Sequence, residues 1–132
     1  MKKINLICVI DDDQIYTFLI KRIIEHAEVA ENTIFFKNGL DALQFFVDKK
    51  MQPEELPELI LLDINMPILD GWQFLAGYSK LKPVIEKEMT LYMTSSSDDQ
   101  DDYNRAMAID SVKDFIRKPI DVDMLKKLVE QM

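Results

Sequence analysis

Apolar residues in this chain gather into short continuous runs, and between the runs they recur at three- and four-residue spacing. Residues 4–10 read Ile-Asn-Leu-Ile-Cys-Val-Ile and predict a first strand that ends in Asp11-Asp12-Asp13. Ile15, Phe18, Leu19 and Ile23 then follow at helical spacing, with Asp13 placed to cap the amino end. Residues 33–36 predict a second strand, Asn38-Gly39 turns the chain, and Leu40, Leu43, Phe46 and Val47 mark a second helix. Pro53 and Pro57 punctuate the loop before Leu59-Ile60-Leu61-Leu62, a run rich in branched side chains that suits a strand buried on both faces. That run stops at Asp63, and beyond it Pro67 and Asp70-Gly71 are turn signals.

Trp72, Leu75, Tyr78 and Leu81 space a third helix, broken near Pro83. Residues 89–93 form a fourth strand, followed by Thr94-Ser95-Ser96-Ser97. Ser97-Asp98-Asp99-Gln100 has the form of a capping box opening a helix that carries Tyr103, Ala106 and Met107. A fifth strand over 112–116 leads to Lys118-Pro119, and a last helix from about Asp121 turns Val122, Leu125, Leu128 and Val129 inward. Strand and helix alternate five times, which calls for an α/β, doubly wound parallel sheet with helices on both faces and right-handed crossovers.

Composition narrows the picture. With 132 residues, 48% of them hydrophobic, the chain is long enough for one domain with its own core. It holds no run of 18 apolar residues of the kind that spans a bilayer. The apolar start ends at Asp11 with no small-residue cleavage site after it, so it reads as a strand rather than a signal peptide, and the expected location is cytoplasmic. The single cysteine, Cys8, has no disulfide or zinc partner and reads as buried filler, and the single histidine, His26, falls in a helical stretch. The net charge of −8 argues against nucleic acid and anionic membranes and in favour of protein partners.

The polar residues at the strand ends are the candidate chemistry. Parallel strands share a carboxyl edge, so Asp11 and Asp12, Asp63, Thr94-Ser95 and Lys118 all belong on one rim, where open α/β sheets bind ligands. If the first and third strands are neighbours, three carboxylates converge and repel, which a divalent cation would relieve. Oxygen-only ligands suit a hard ion such as Mg²⁺, held by Asp11, Asp12 and Asp63 with waters and the main-chain carbonyl of Asn65.

On the motifs Val9-Ile10-Asp11-Asp12-Asp13, Leu61-Leu62-Asp63-Ile64-Asn65-Met66-Pro67, Asp70-Gly71, Met93-Thr94-Ser95 and Lys118-Pro119, the chain resembles the receiver domain of two-component response regulators along essentially its whole length. The resemblance implies the strand order 2-1-3-4-5 of flavodoxin-like sheets, and a single receiver domain over 1–132 without an output domain. It implies that Asp63 accepts a phosphoryl group from a histidine kinase or phosphotransfer protein, with Mg²⁺ bound by Asp12 directly and by Asp11 mainly through water. Asn65 would add its main-chain carbonyl, Lys118 would pair with the phosphoryl oxygens, and Thr94 would donate its hydroxyl to them. Phe115 occupies the aromatic switch position, where it lacks the hydroxyl of a tyrosine. The face made by the fourth helix, fifth strand and fifth helix would then change shape for a downstream protein, as a monomer or a phosphorylation-dependent dimer. The resemblance also implies a cis Lys118-Pro119 bond. Asn65 and Ser96 match positions that tune self-hydrolysis in such domains, and Asp110-Ser111 stands where a Gly-Ala type pair is common.

Simpler roles compete at several positions. Asp13 reads as a cap rather than a ligand, and Asp98, Asp99, Asp101 and Asp102 as helix-dipole partners rather than a calcium site. The eight methionines read as core filler, and Trp72, Phe74 and Tyr78 as core rather than a cofactor box. Two other functions stand against a phosphorylation switch that is not an enzyme acting on other substrates. One is a phosphoaspartyl hydrolase, since Asp11-Asp12-Asp13 contains an Asp-x-Asp element, and the other is an interaction module that keeps only the fold.

Overall fold

A computed structural model describes residues 3–132. It contains five strands, β1 (Ile4–Ile10), β2 (Ala30–Phe36), β3 (Leu59–Asp63), β4 (Thr90–Ser95) and β5 (Val112–Arg117). Five helices alternate with them: α1 (Gln14–Ala27), α2 (Gly39–Lys49), α3 (Gly71–Leu81), α4 (Gln100–Met107) and α5 (Val122–Glu130). The strands are all parallel in the order β2-β1-β3-β4-β5, as the resemblance implied. No helix among the described residues is long and apolar enough to cross a membrane.

Because strand side chains alternate, each strand feeds two cores. Cys8, Ile10, Ile60, Leu62, Leu91 and Met93 pack on one face beneath α2, α3 and α4. Ile7, Val9, Leu59, Leu61, Tyr92 and Ile116 pack on the other beneath α1 and α5. The first core is centred on Phe46, Phe74 and Tyr78, where Phe46 meets both other rings edge-on at 5.9 and 5.5 Å. Cys8 is fully buried, and burial pushes its thiol pKa well up, which suits filler and not a reactive group.

Several boundaries depart from the hydropathy pattern for identifiable reasons. β2 begins at Ala30 rather than Thr33, because backbone pairing with Ile4 sets its start and the exposed Glu31 and Asn32 lie on an edge strand. β4 begins one residue later and runs on through Thr94 and Ser95, whose ladders continue against Asp63 and Arg117. The cap of α4 is Asp99 and not Ser97: the Asp99 carboxylate accepts from the Asp101 and Asp102 amides, while the Ser97 hydroxyl accepts from the Asp99 amide. The capping box lies instead on α3, where Asp70 and Gln73 satisfy each other's amides at 2.9 Å.

α1 forms where expected and Asp13 caps it, but the apolar positions that mark it are not those it buries. Tyr16, Ile20, Ile24 and Ala27 face the core, while Ile15, Phe18 and Leu19 are more than half exposed. Methionines divide in the same way: Met89 and Met93 are core, and Met51, Met107 and Met124 lie at the surface.

At the amino edge of the sheet, Glu58 accepts from the Asn5 and Leu6 amides and pairs with Lys87 at 2.6 Å. Lys87 also donates to the Pro53 and Leu56 carbonyls. This closed polar knot anchors the loops at the pole opposite the acidic rim.

Candidate functional site

Two-residue alternation decides which side of the sheet the rim residues take. Asp11 follows Ile7 and Val9, Asp63 follows Leu59 and Leu61, Thr94 follows Tyr92, and Lys118 follows Ile116. Each of those predecessors belongs to the core beneath α1 and α5. The four polar groups therefore leave the sheet on that same side, at the carboxyl ends of adjacent strands.

The resulting cluster is tight. Carboxylate oxygens of Asp11, Asp12 and Asp63 lie within 4.8 Å of one another. Lys118 Nζ donates to Asp11 Oδ2 at 2.5 Å and pairs with Asp63 Oδ1 at 3.1 Å. Asp11 and Asp63 are buried and Asp12 is exposed, so the cluster opens to solvent on one side only. Thr94 is buried and sits in register beside Asp63. Asn65 is exposed, two residues past the end of β3.

Local backbone contacts hold these groups. Asp11 Oδ1 accepts from the Asp13 amide at 2.9 Å, and Asp13 Oδ1 in turn accepts from the Ile15 and Tyr16 amides. The Lys118 amide donates to the Ser95 carbonyl at 2.8 Å, and the Lys118-Pro119 bond is cis. Gly71 lets α3 start directly against the end of β3: its amide donates to the Ile64 carbonyl at 2.7 Å, and a Cβ there would lie 2.5 Å from the Asp63 carbonyl oxygen.

Electrostatics follow from this crowding. Burial, then the charge of Asp11, raises the Asp63 pKa to about 6, with Lys118 opposing both. Burial likewise raises Asp11, against the hydrogen bonds it accepts from Lys118 and Asp13. For Lys118, burial acts to lower the pKa, but Asp11 and then Asp63 more than reverse it, and the ammonium is held more firmly than usual. A partly buried site with three carboxylates and one ammonium has surplus negative charge, and its all-oxygen donor set fits a small hard dication.

Phe115 lies apart from the carboxylates on β5, half-buried, its ring edge-on to Tyr103 of α4 at 6.0 Å. Arg117 pairs with Asp98 at 3.2 Å beside that contact. The other acids at the start of α4 serve its first turn, with Asp99 as the cap. His26 is exposed on the last turn of α1, and Trp72 is half-buried beneath the Arg105 guanidinium at 4.2 Å. One member of the cluster had no sequence signal. Tyr16 lies under Lys118, whose Nζ is 4.3 Å from the centre of the ring.

Comparison with known proteins supplies the remaining context. The family described as "Response regulator receiver domain" matches residues 7–130. The crystal structure of a two-component response regulator from Cytophaga hutchinsonii is similar at a TM-score of 0.86 and 28% identity, covering 98% of this chain and 97% of that one. The chemotaxis protein CheY of Listeria monocytogenes is 28% identical over 127 residues, 93% of either chain. The DNA-binding transcriptional regulator NtrC of Escherichia coli is also 28% identical, but the chain spans only 24% of its length.

Proposed function

Since this chain belongs to the response regulator receiver domain family, we propose that it is a phosphorylation switch in which Asp63 is the phosphoacceptor. The observation that carries this reading is the Asp63 carboxylate itself, buried at the end of the central strand, 3.1 Å from Lys118 Nζ and clustered with Asp11 and Asp12.

In the proposed reaction an Asp63 carboxylate oxygen attacks the phosphorus of a phosphohistidine on a kinase or phosphotransfer protein. A P–O bond forms, the P–N bond breaks, and the imidazole leaves with the electron pair. Phosphoryl transfer asks a protein mainly for in-line positioning and neutralisation of charge. Asp12, Asp11, Asp63 and the Asn65 carbonyl are the groups that would hold Mg²⁺, which when bound supplies charge neutralisation at the transferring oxygens. Lys118 is already beside the acceptor oxygen and exchanges its carboxylate contacts for phosphoryl ones. Thr94, next to Asp63 across the ladder, donates its hydroxyl to the new group.

The phosphoryl group adds roughly −1.5 to −2 charges at neutral pH. Movement of Thr94 toward it would draw on the loop between β4 and α4, and Phe115 is the side chain placed to follow. Its present partner Tyr103, and the Arg117–Asp98 pair lining the same hollow, lie on the α4–β5 surface that a target protein would read. The phosphoryl donor must reach the rim, and there the apolar trio Ile15, Phe18 and Leu19 stands exposed on the helix that begins at it. That strip suits an apolar surface on the donor protein.

The test is acetyl phosphate with Mg²⁺, read by intact mass. The expected result is one added phosphoryl group in the parent and none in Asp63→Asn. Equal labelling of that variant overturns the assignment. Turnover of generic phosphomonoesters would favour a hydrolase instead.

A further inference from the structure

We propose that Tyr16 is a positioning residue for Lys118, its ring forming the third wall of the pocket that aims the ammonium at the acceptor carboxylate. The inference rests on the phosphorylation reading above and adds to it a residue outside the motifs that support the family resemblance.

A lysine is a poor positioning device on its own, because its four-carbon stem is flexible and its charge is compact. Here the ammonium is restrained from three directions: Asp11 at 2.5 Å, Asp63 at 3.1 Å and the Tyr16 ring at 4.3 Å from its centroid. Under the phosphorylation reading both carboxylates would take new partners, since each would hold Mg²⁺ and Asp63 would also carry the phosphoryl group. The uncharged ring takes part in neither event. Its distance is well within the ~6 Å over which an aromatic face attracts a cation, and the attraction is stronger where water is excluded. The Lys118 side chain is only 11% exposed.

The placement of Tyr16 is built and not incidental. Its amide donates to Asp13 Oδ1 at 3.1 Å, and the Asp13 amide donates to Asp11 Oδ1. The helix cap thus ties the ring to the acidic rim through two hydrogen bonds. Tyr16 is also the first core-facing residue of α1, packed in the cluster that contains Leu61 and Ile116. Its hydroxyl is buried without a hydrogen-bond partner among the described residues. The contact with Lys118 is made by the ring, so the ring is what the site uses.

The experiment compares rates of labelling by acetyl phosphate with Mg²⁺ in Tyr16→Leu, Tyr16→Met, Tyr16→Phe, Lys118→Ala and the double variant Tyr16→Leu/Lys118→Ala. Thermal melts and Mg²⁺ titrations verify that each is folded and binds metal. Removing the ring is expected to slow labelling roughly tenfold, with Mg²⁺ affinity within about twofold of the parent. Tyr16→Phe, which keeps the ring, is expected to restore the rate. The double variant is expected to be no slower than Lys118→Ala, because the ring acts only through the lysine.

Unchanged rates in both Leu and Met variants, a Phe variant as slow as the Leu variant, or independent multiplication of the two losses would each overturn the proposal. Lys118→Ala labelling at the parent rate would instead remove the role assigned to the lysine, and labelling of Asp63→Asn would remove the phosphorylation reading itself.

Discussion

Asp63 is held at a cost, and the cost has a sign. Its pKa rises from 3.8 to about 6 in the fold, so the folded protein binds that proton more tightly than the unfolded chain. Its contribution to stability is fully present below 3.8 and is lost as pH rises through about 6. In metal-free buffer, unfolding free energy is therefore expected to fall between pH 4 and 7, by at most roughly 3 kcal/mol from this group, and the denaturation midpoint with it. Asp63→Asn should flatten that slope and raise the midpoint at neutral pH, and Mg²⁺ should raise the parent more than the variant. Urea titrations across that range check it, and an equal slope in both proteins would refute the electrostatic account. The acids, Thr94 and Lys118 were legible in sequence because each ends a strand, and shared direction alone puts strand ends on one rim. Tyr16 was not legible. Its contact with Lys118 joins residues 102 positions apart, and a tyrosine among isoleucines and leucines reads as one more core residue.

Among the elements, α1 shows where periodicity misleads. Two stripes run along it, Ile15-Phe18-Leu19-Ile23 and Tyr16-Ile20-Ile24-Ala27, about one residue out of phase. Hydropathy favours the first, but the rotation of the helix is set by its cap at Asp13 and by packing against α5, which bury the second. The start of α3 shows the converse, since Asp70-Gly71 reads as a turn and proves to be a cap followed by a steric requirement. Asp70→Ala is expected to cost about 1 kcal/mol through the lost cap. Gly71→Ala should cost more, roughly 1–3 kcal/mol, because its methyl would meet backbone and not a yielding side chain: the Asp63 carbonyl oxygen at 2.5 Å and the Ile64 Cα at 2.9 Å. Because the displaced atoms belong to Asp63, the proposed acceptor, and its neighbour, Gly71→Ala should also slow labelling at Asp63, whereas Asp70→Ala should leave the rate nearly unchanged. Melting curves paired with labelling rates separate the two.

On the scale of the whole molecule, the sheet has an acidic pole and an anchoring pole. The Glu58–Lys87 knot belongs to the second and left no mark in the sequence, since its partners come from three separate segments. Burial acts to raise the Glu58 pKa, but the bond from Lys87 and those from the Leu6 and Asn5 amides outweigh it, and the net shift is downward. The stability it contributes is present above 4.5 and lost as pH falls through its lowered folded value. Glu58→Gln should accordingly lose roughly 1–3 kcal/mol at neutral pH, with the gap to the parent closing in acid, measurable by urea titration. Between the poles runs β3, whose Leu59 and Leu61 serve one core while Ile60 and Leu62 serve the other. Either layer tolerates drift in its own apolar side chains, provided volume is kept. What neither tolerates is a change in the number of residues along that strand: one inserted or deleted position would swap the layers and carry Asp63 to the wrong side. The helices are therefore constrained by what they spell, and the central strand by how many residues it holds.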